Sequence, residues 1–127
     1  MEGLICERLL VVYDEKDGEV GPLYLLVNKR WHRFYLDAGI LFWQEGEAPD
    51  AEEDLSEGEV YLDLANELCA LGVKINMVDF GDCELLVEFE NQARFRIYST
   101  VRADTNRFLE RSAGSDSGVG RAGGDRP

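Results

Sequence analysis

Residues 73–98, VKINMVDFGDCELLVEFENQARFRIY, decide the fold. Apolar Val73, Ile75 and Met77 alternate with Lys74 and Asn76. Leu85, Val87 and Phe89 alternate with Glu84, Glu88 and Glu90 (Leu86 is the exception), and Phe95 and Ile97 alternate with Arg94, Arg96 and Tyr98. A side-chain period of two belongs to half-buried strands, whose successive side chains point to opposite faces. Requiring that the apolar face stay whole then selects a register. A two-residue turn at Asn91-Gln92 would set Phe89 opposite Arg94. A three-residue loop, Asn91-Gln92-Ala93, pairs Glu90 with Arg94, Phe89 with Phe95, Glu88 with Arg96 and Val87 with Ile97. Opposite charges then meet outside and apolar residues inside. The same test at the preceding turn selects the loop Phe80-Gly81-Asp82, with Met77 opposite Leu85 and Ile75 opposite Val87.

Upstream of this meander, residues 4–13 are apolar with a β-branched, aromatic end and read as a strand, because Val11, Val12 and Tyr13 lose side-chain freedom in a helix. The turn chemistry of residues 14–18, closed by Gly21-Pro22, leads to a second strand at 23–27. A third strand, 31–37, places His32, Phe34 and Leu36 on one side and Trp31, Arg33 and Tyr35 on the other, and a fourth covers 40–44. Val60, Tyr61 and Leu62 return the chain to the core. Residues 63–72 read as a short helix with Asp63 as N-cap, Leu64, Leu68 and Leu71 on one face, and Gly72 past its end. After Thr100 the pattern decays: residues 101–111 hold a helical turn anchored by Phe108 and Leu109, and 112–127 form a disordered tail rich in Gly and Ser. The expected fold class is α+β, mostly antiparallel β, with about six to seven strands in meander hairpins, one short helix and a flexible C-terminal tail on a single domain of residues 1–111.

The 127 residues carry 26 acidic and 13 basic side chains, a formal charge of −13. That field repels phosphate backbones and anionic membranes and favours cationic partners. Cys6, Cys69 and Cys83 lack metal-ligand or redox spacing and read as small apolar residues of a reducing compartment. The N-terminus has no basic signal region and no window approaches a membrane span, so a cytoplasmic protein is expected.

The charge is concentrated. Residues 45–59 hold eight carboxylates (Glu45, Glu47, Asp50, Glu52, Glu53, Asp54, Glu57 and Glu59) and no Lys or Arg. Such a segment buries little apolar surface and is expected to be mobile unless something cationic binds. It has two readings: charge for solubility, or a docking patch for a basic partner beside the aromatic strand end at Phe42 and Trp43. Trp43, bordering it, is expected to be partly exposed and Trp31 to lie in the core. His32 reads as a packing residue with a satisfied ring nitrogen. A serine elbow, a phosphate-cradling glycine loop and a zinc-binding histidine pair are all missing from the sequence, so no catalytic residue, cofactor or enzymatic activity is expected. Asp50, Glu52 and Asp54 alternate like calcium ligands, but Leu55 stands where the calcium loop needs glycine, so no metal is assigned. In size, acidity and want of catalytic residues the chain resembles the small immunity proteins that neutralise bacterial toxins. That resemblance implies a cytoplasmic inhibitor of a basic, nuclease-type toxin. The alternative is a structural or adaptor module whose acids only aid solubility.

Overall fold

The computed structural model describes residues 1–99 and 106–114. Among them nine strands form two antiparallel sheets, more than the six to seven expected, with little helix. The first sheet has the order β4-β3-β2-β1-β5, from β1 (Cys6–Asp14), β2 (Val20–Val27), β3 (Arg30–Asp37), β4 (Ile40–Glu45) and β5 (Glu59–Asp63). The second runs β6-β7-β8-β9, from β6 (Ile75–Phe80), β7 (Glu84–Phe89), β8 (Arg94–Tyr98) and β9 (Phe108–Ser112). Leu9, Val11, Leu23, Leu25 and Phe34 of the first sheet share one core with Leu85, Val87, Phe89, Phe95 and Ile97 of the second. The alternation read in β3 is present: His32, Phe34 and Leu36 are buried, Trp31, Arg33 and Tyr35 half-buried. Trp31 therefore lies outside the core.

Three local expectations are corrected. The helix is a single turn, α1 (Leu64–Glu67), rather than ten residues. Asp63 does cap it, its side chain accepting from the Asn66 N–H at 3.1 Å. Cys69, not Gly72, takes the first left-handed position (φ 53°), and Asn91 Nδ2 donates to the carbonyls of Leu68 and Cys69, ending the helix early and leaving Leu71 exposed. Gly21 and Pro22 belong to β2 rather than to a loop, and a register shift in β1 between Val11 and Tyr13 lies opposite the proline, which has no N–H to give. Phe108 and Leu109 begin a strand, not a helical turn. Two anchors cannot hold an isolated helix, whereas β8 offers an unpaired edge where Leu109 meets Ile97 and Glu110 meets Arg96. Of the expected tail, Ser112 closes β9, and residues 115–127 lie outside the described residues.

The meander exists, with its registers shifted. β7 and β8 pair Val87 with Phe95 and Glu88 with Arg94, through a three-residue loop of Glu90, Asn91 and Gln92 in which Gln92 takes φ 72°. The apolar face stays whole, because the shift from the expected pairing is by two residues. The β6–β7 shift is odd: Val78 meets Val87 and Phe80 meets Leu85, with a bulge between Ile75 and Met77. The bulge turns Val78 and Phe80 to the side that Ile75 occupies and swings Met77 out of it.

Candidate functional site

β4 is an edge strand, and its ladder phase follows from two bonds. Gly46 N–H donates to the Trp31 carbonyl at 2.7 Å, and Leu41 N–H donates away from β3 to the Asp82 carbonyl at 2.9 Å. Hydrogen-bonded and open positions alternate along an antiparallel pair, so the backbone groups of Leu41, Trp43 and Glu45 face outward.

Opposite Phe34 in the register, the Trp43 side chain lies on the inner side of the sheet and remains 49% exposed. Its ring stacks on Phe34 (5.9 Å between centroids) and on Phe80 (5.4 Å), and its indole N–H donates to His32 Nδ1 at 3.1 Å. That bond fixes the neutral imidazole with its proton on Nε2. Burial pushes the His32 pKa below its ordinary value, against an upward pull from Glu45. Ile40, Phe42, Trp43 and Phe80 are four of the six exposed large apolar side chains among the described residues, so the exposed apolar surface gathers at this edge. Beside it a pocket of about 380 Å³ opens between the sheet and the N-terminal segment, lined by Met1, Leu4, Val27, His32, Trp43 and Glu45.

From the end of β4 the chain must reach the start of β5, at the far edge and the opposite end of the first sheet. Residues 46–58 make this crossing as a strap over the sheet's outer face. Tyr61 donates its hydroxyl to the Asp50 carbonyl at 2.7 Å, Glu15 N–H reaches Gly58 O, and Pro49 and Leu55 are half-buried. Outward-facing Leu10, Val12 and Tyr24 are buried on this side, with Tyr24 edge-on to Tyr61. The segment expected to be mobile is thus tied at both ends and in the middle. The sequence reading weighed its charge and overlooked the apolar face beneath it. Burial, and next the neighbouring Tyr24 and Asp50, push the Tyr61 hydroxyl above its usual pKa.

The eight acids do not form one cluster. Glu45, at one end, is taken by Arg30 (Nη1 to Oε2, 2.6 Å), and Glu59, at the other, accepts from Ser56 N–H at 3.0 Å inside β5. The strap between carries Glu47, Asp50, Glu52, Glu53, Asp54 and Glu57, all exposed, and none makes an ion pair among the described residues. Glu52, Glu53 and Asp54 occupy successive positions of a single 3-10 turn. Asp14 pairs with Glu59, so the acidic β1–β2 turn lies against the strap's end and extends the field. Sequence reasoning missed Phe80, read as a turn residue, and the Met1–Leu4 wall of the pocket. The only available signal for Phe80 was an aromatic at a position where a polar turn residue is usual.

A larger hollow of about 750 Å³ lies against β8 and β9, but Arg96 there is held by Glu84 and Glu110 and stacks over Tyr98, while Arg111 is held by Glu67. Among the described residues no three His, Cys, Asp or Glu side chains gather closely enough to hold a metal ion, and no helix is long and apolar enough to cross a membrane. No protein-family model, no curated protein and no solved structure matches this chain.

Proposed function

We propose that this is a non-enzymatic acidic protein-binding domain that docks a basic protein surface, in the manner of an immunity or inhibitor protein acting on a nuclease-type toxin. One observation carries the reading: six exposed carboxylates on the strap make no ion pair among the described residues. Like charges gathered this way repel one another and add nothing to folding, whereas they accelerate encounter with a cationic surface. The exposed aromatics of β4, from whose end the strap sets out, supply the desolvated anchors that hold a complex once formed.

The test begins with recovery of bound proteins from the source cell, followed by association-rate measurements on the purified partner. The rate should fall at least tenfold between low and physiological ionic strength. Changing Asp50 and Asp54 to Asn and Glu52 and Glu53 to Gln should lower it similarly at low salt while leaving the fold intact. A rate indifferent to both would refute the reading. The second reading, a module whose strap is structural, is favoured by the burial of Leu10, Val12 and Tyr24 on the strapped face, and that outcome would support it.

A further inference from the structure

The geometry points to β4 as the docking edge: a partner's extended basic segment adds to the first sheet as a further strand and drops one apolar side chain into the pocket beside Trp43. This rests on the basic-partner reading and specifies how the partner is held. The outward N–H and C=O groups of Trp43 and Glu45 have no hydrogen-bond partner among the described residues, since the β6–β7 turn covers only the Leu41 N–H. An open edge of this kind is a template for strand addition, in which backbone bonds give affinity and alternate side chains give specificity. β6, by contrast, is covered: Gly3 N–H donates to Ile75 O, and Glu2 accepts from Val78 N–H at 3.1 Å. β5 is open on one side as well, but none of the exposed large apolar side chains belongs to it.

The side chains around β4 define the occupant. On one face an added strand meets Ile40 and Phe42; on the other it meets Trp43 and the 380 Å³ pocket walled by Met1, Leu4 and Val27. Beyond Glu45 it would run past Glu47, and at the other end the β6–β7 turn brings exposed Asp82 to Leu41, so lysine or arginine must flank the apolar residue. A second copy of this chain is a poor occupant, because each copy brings a formal charge of −13. The partner segment is therefore extended, cationic and alternately apolar.

A library of displayed twelve-residue peptides, panned against the full chain, supplies the probe. The enriched sequences should alternate apolar residues with Lys or Arg. Methylating the backbone nitrogens that face β4 should weaken binding at least tenfold, while methylating the other set changes it less than twofold. Glu45→Pro removes one outward N–H at an edge position where proline is tolerated, and should cost a similar factor. No enrichment, or equal effects of the two methylation patterns, overturns strand addition. The variant neutralised at Asp50, Glu52, Glu53 and Asp54 separates the two ideas. If it loses binding while the methylation patterns stay equal, the charge reading survives and the β4 mode fails; if neither matters, both fail.

Discussion

Trp43 donates to a ring nitrogen of His32 that must be unprotonated, and this single bond ties the exposed aromatic surface to pH. The His32 pKa is lowered on folding, chiefly by burial, so the unfolded chain takes up the proton first as pH falls. The stability contributed by neutral His32 is then complete above the ordinary imidazole value of about 6.5 and is lost as pH falls through the lower folded value. Urea unfolding from pH 8 to pH 5 should show the native protein weakening more steeply than a His32→Gln variant, and Trp43 fluorescence should shift over the same range. Parallel profiles would disprove the coupling. Cysteine chemistry gives a second expectation at this scale. Burial, and next Asp63 and Glu7, push the Cys6 thiol up to about 12, while Cys69 is exposed. A disulfide reagent at pH 8 should therefore label Cys69 in the folded protein and reach Cys6 only after denaturant is added.

At the scale of elements, Asn91 sets what the side-chain pattern left open. Its Oδ1 accepts from the Ala93 N–H at 3.0 Å and its Nδ2 reaches the Leu68 and Cys69 carbonyls, so one side chain shapes the β7–β8 loop and docks it on the end of α1. Asn91→Ala should cost about 1 kcal/mol, since the part-buried bond to the Leu68 carbonyl and the ties to Cys69 and Ala93 are lost together. Chemical denaturation measures this, and a change below about 0.5 kcal/mol would contradict the role given to Asn91. The meander itself was legible because Leu85, Val87, Phe95 and Ile97 carry a strict period of two. That period fixes which face a residue occupies, so it fixes register only to within an even shift. The β7–β8 pairing displaced by two residues is invisible to it, and the tie from Asn91 to α1 is a long-range contact that no local pattern reports. The bulge between Ile75 and Met77 escaped for a related reason: it breaks the period inside a strand that the period was used to align. In the candidate site, the exposure of Trp43 and the concentration of acid were legible, but the separation of Glu45 and Glu59 to opposite ends of the sheet depends on strand order.

For the molecule as a whole, the strap has to reconcile two opposed demands. Its apolar residues lie over the outer face of the first sheet while six carboxylates that make no ion pair among the described residues share a short stretch of backbone, within a chain of net charge −13. Mutual repulsion among them opposes closure of the strap, and the exposure that would suit a partner leaves them screened only by solvent and salt. Raising monovalent salt from about 20 to 500 mM shortens the Debye length to a few ångströms and should therefore stabilise the fold, by about 1 kcal/mol or roughly 3–6 °C in Tm for a domain of this size. The variant neutralised at Asp50, Glu52, Glu53 and Asp54, four charges nearer zero, should begin with the higher Tm at low salt and respond less as salt is added. Calorimetry at several salt concentrations reads both slopes. If the variant were less stable than the native chain at low salt, those carboxylates would be serving the fold, and the case for an external cationic partner would lose its footing.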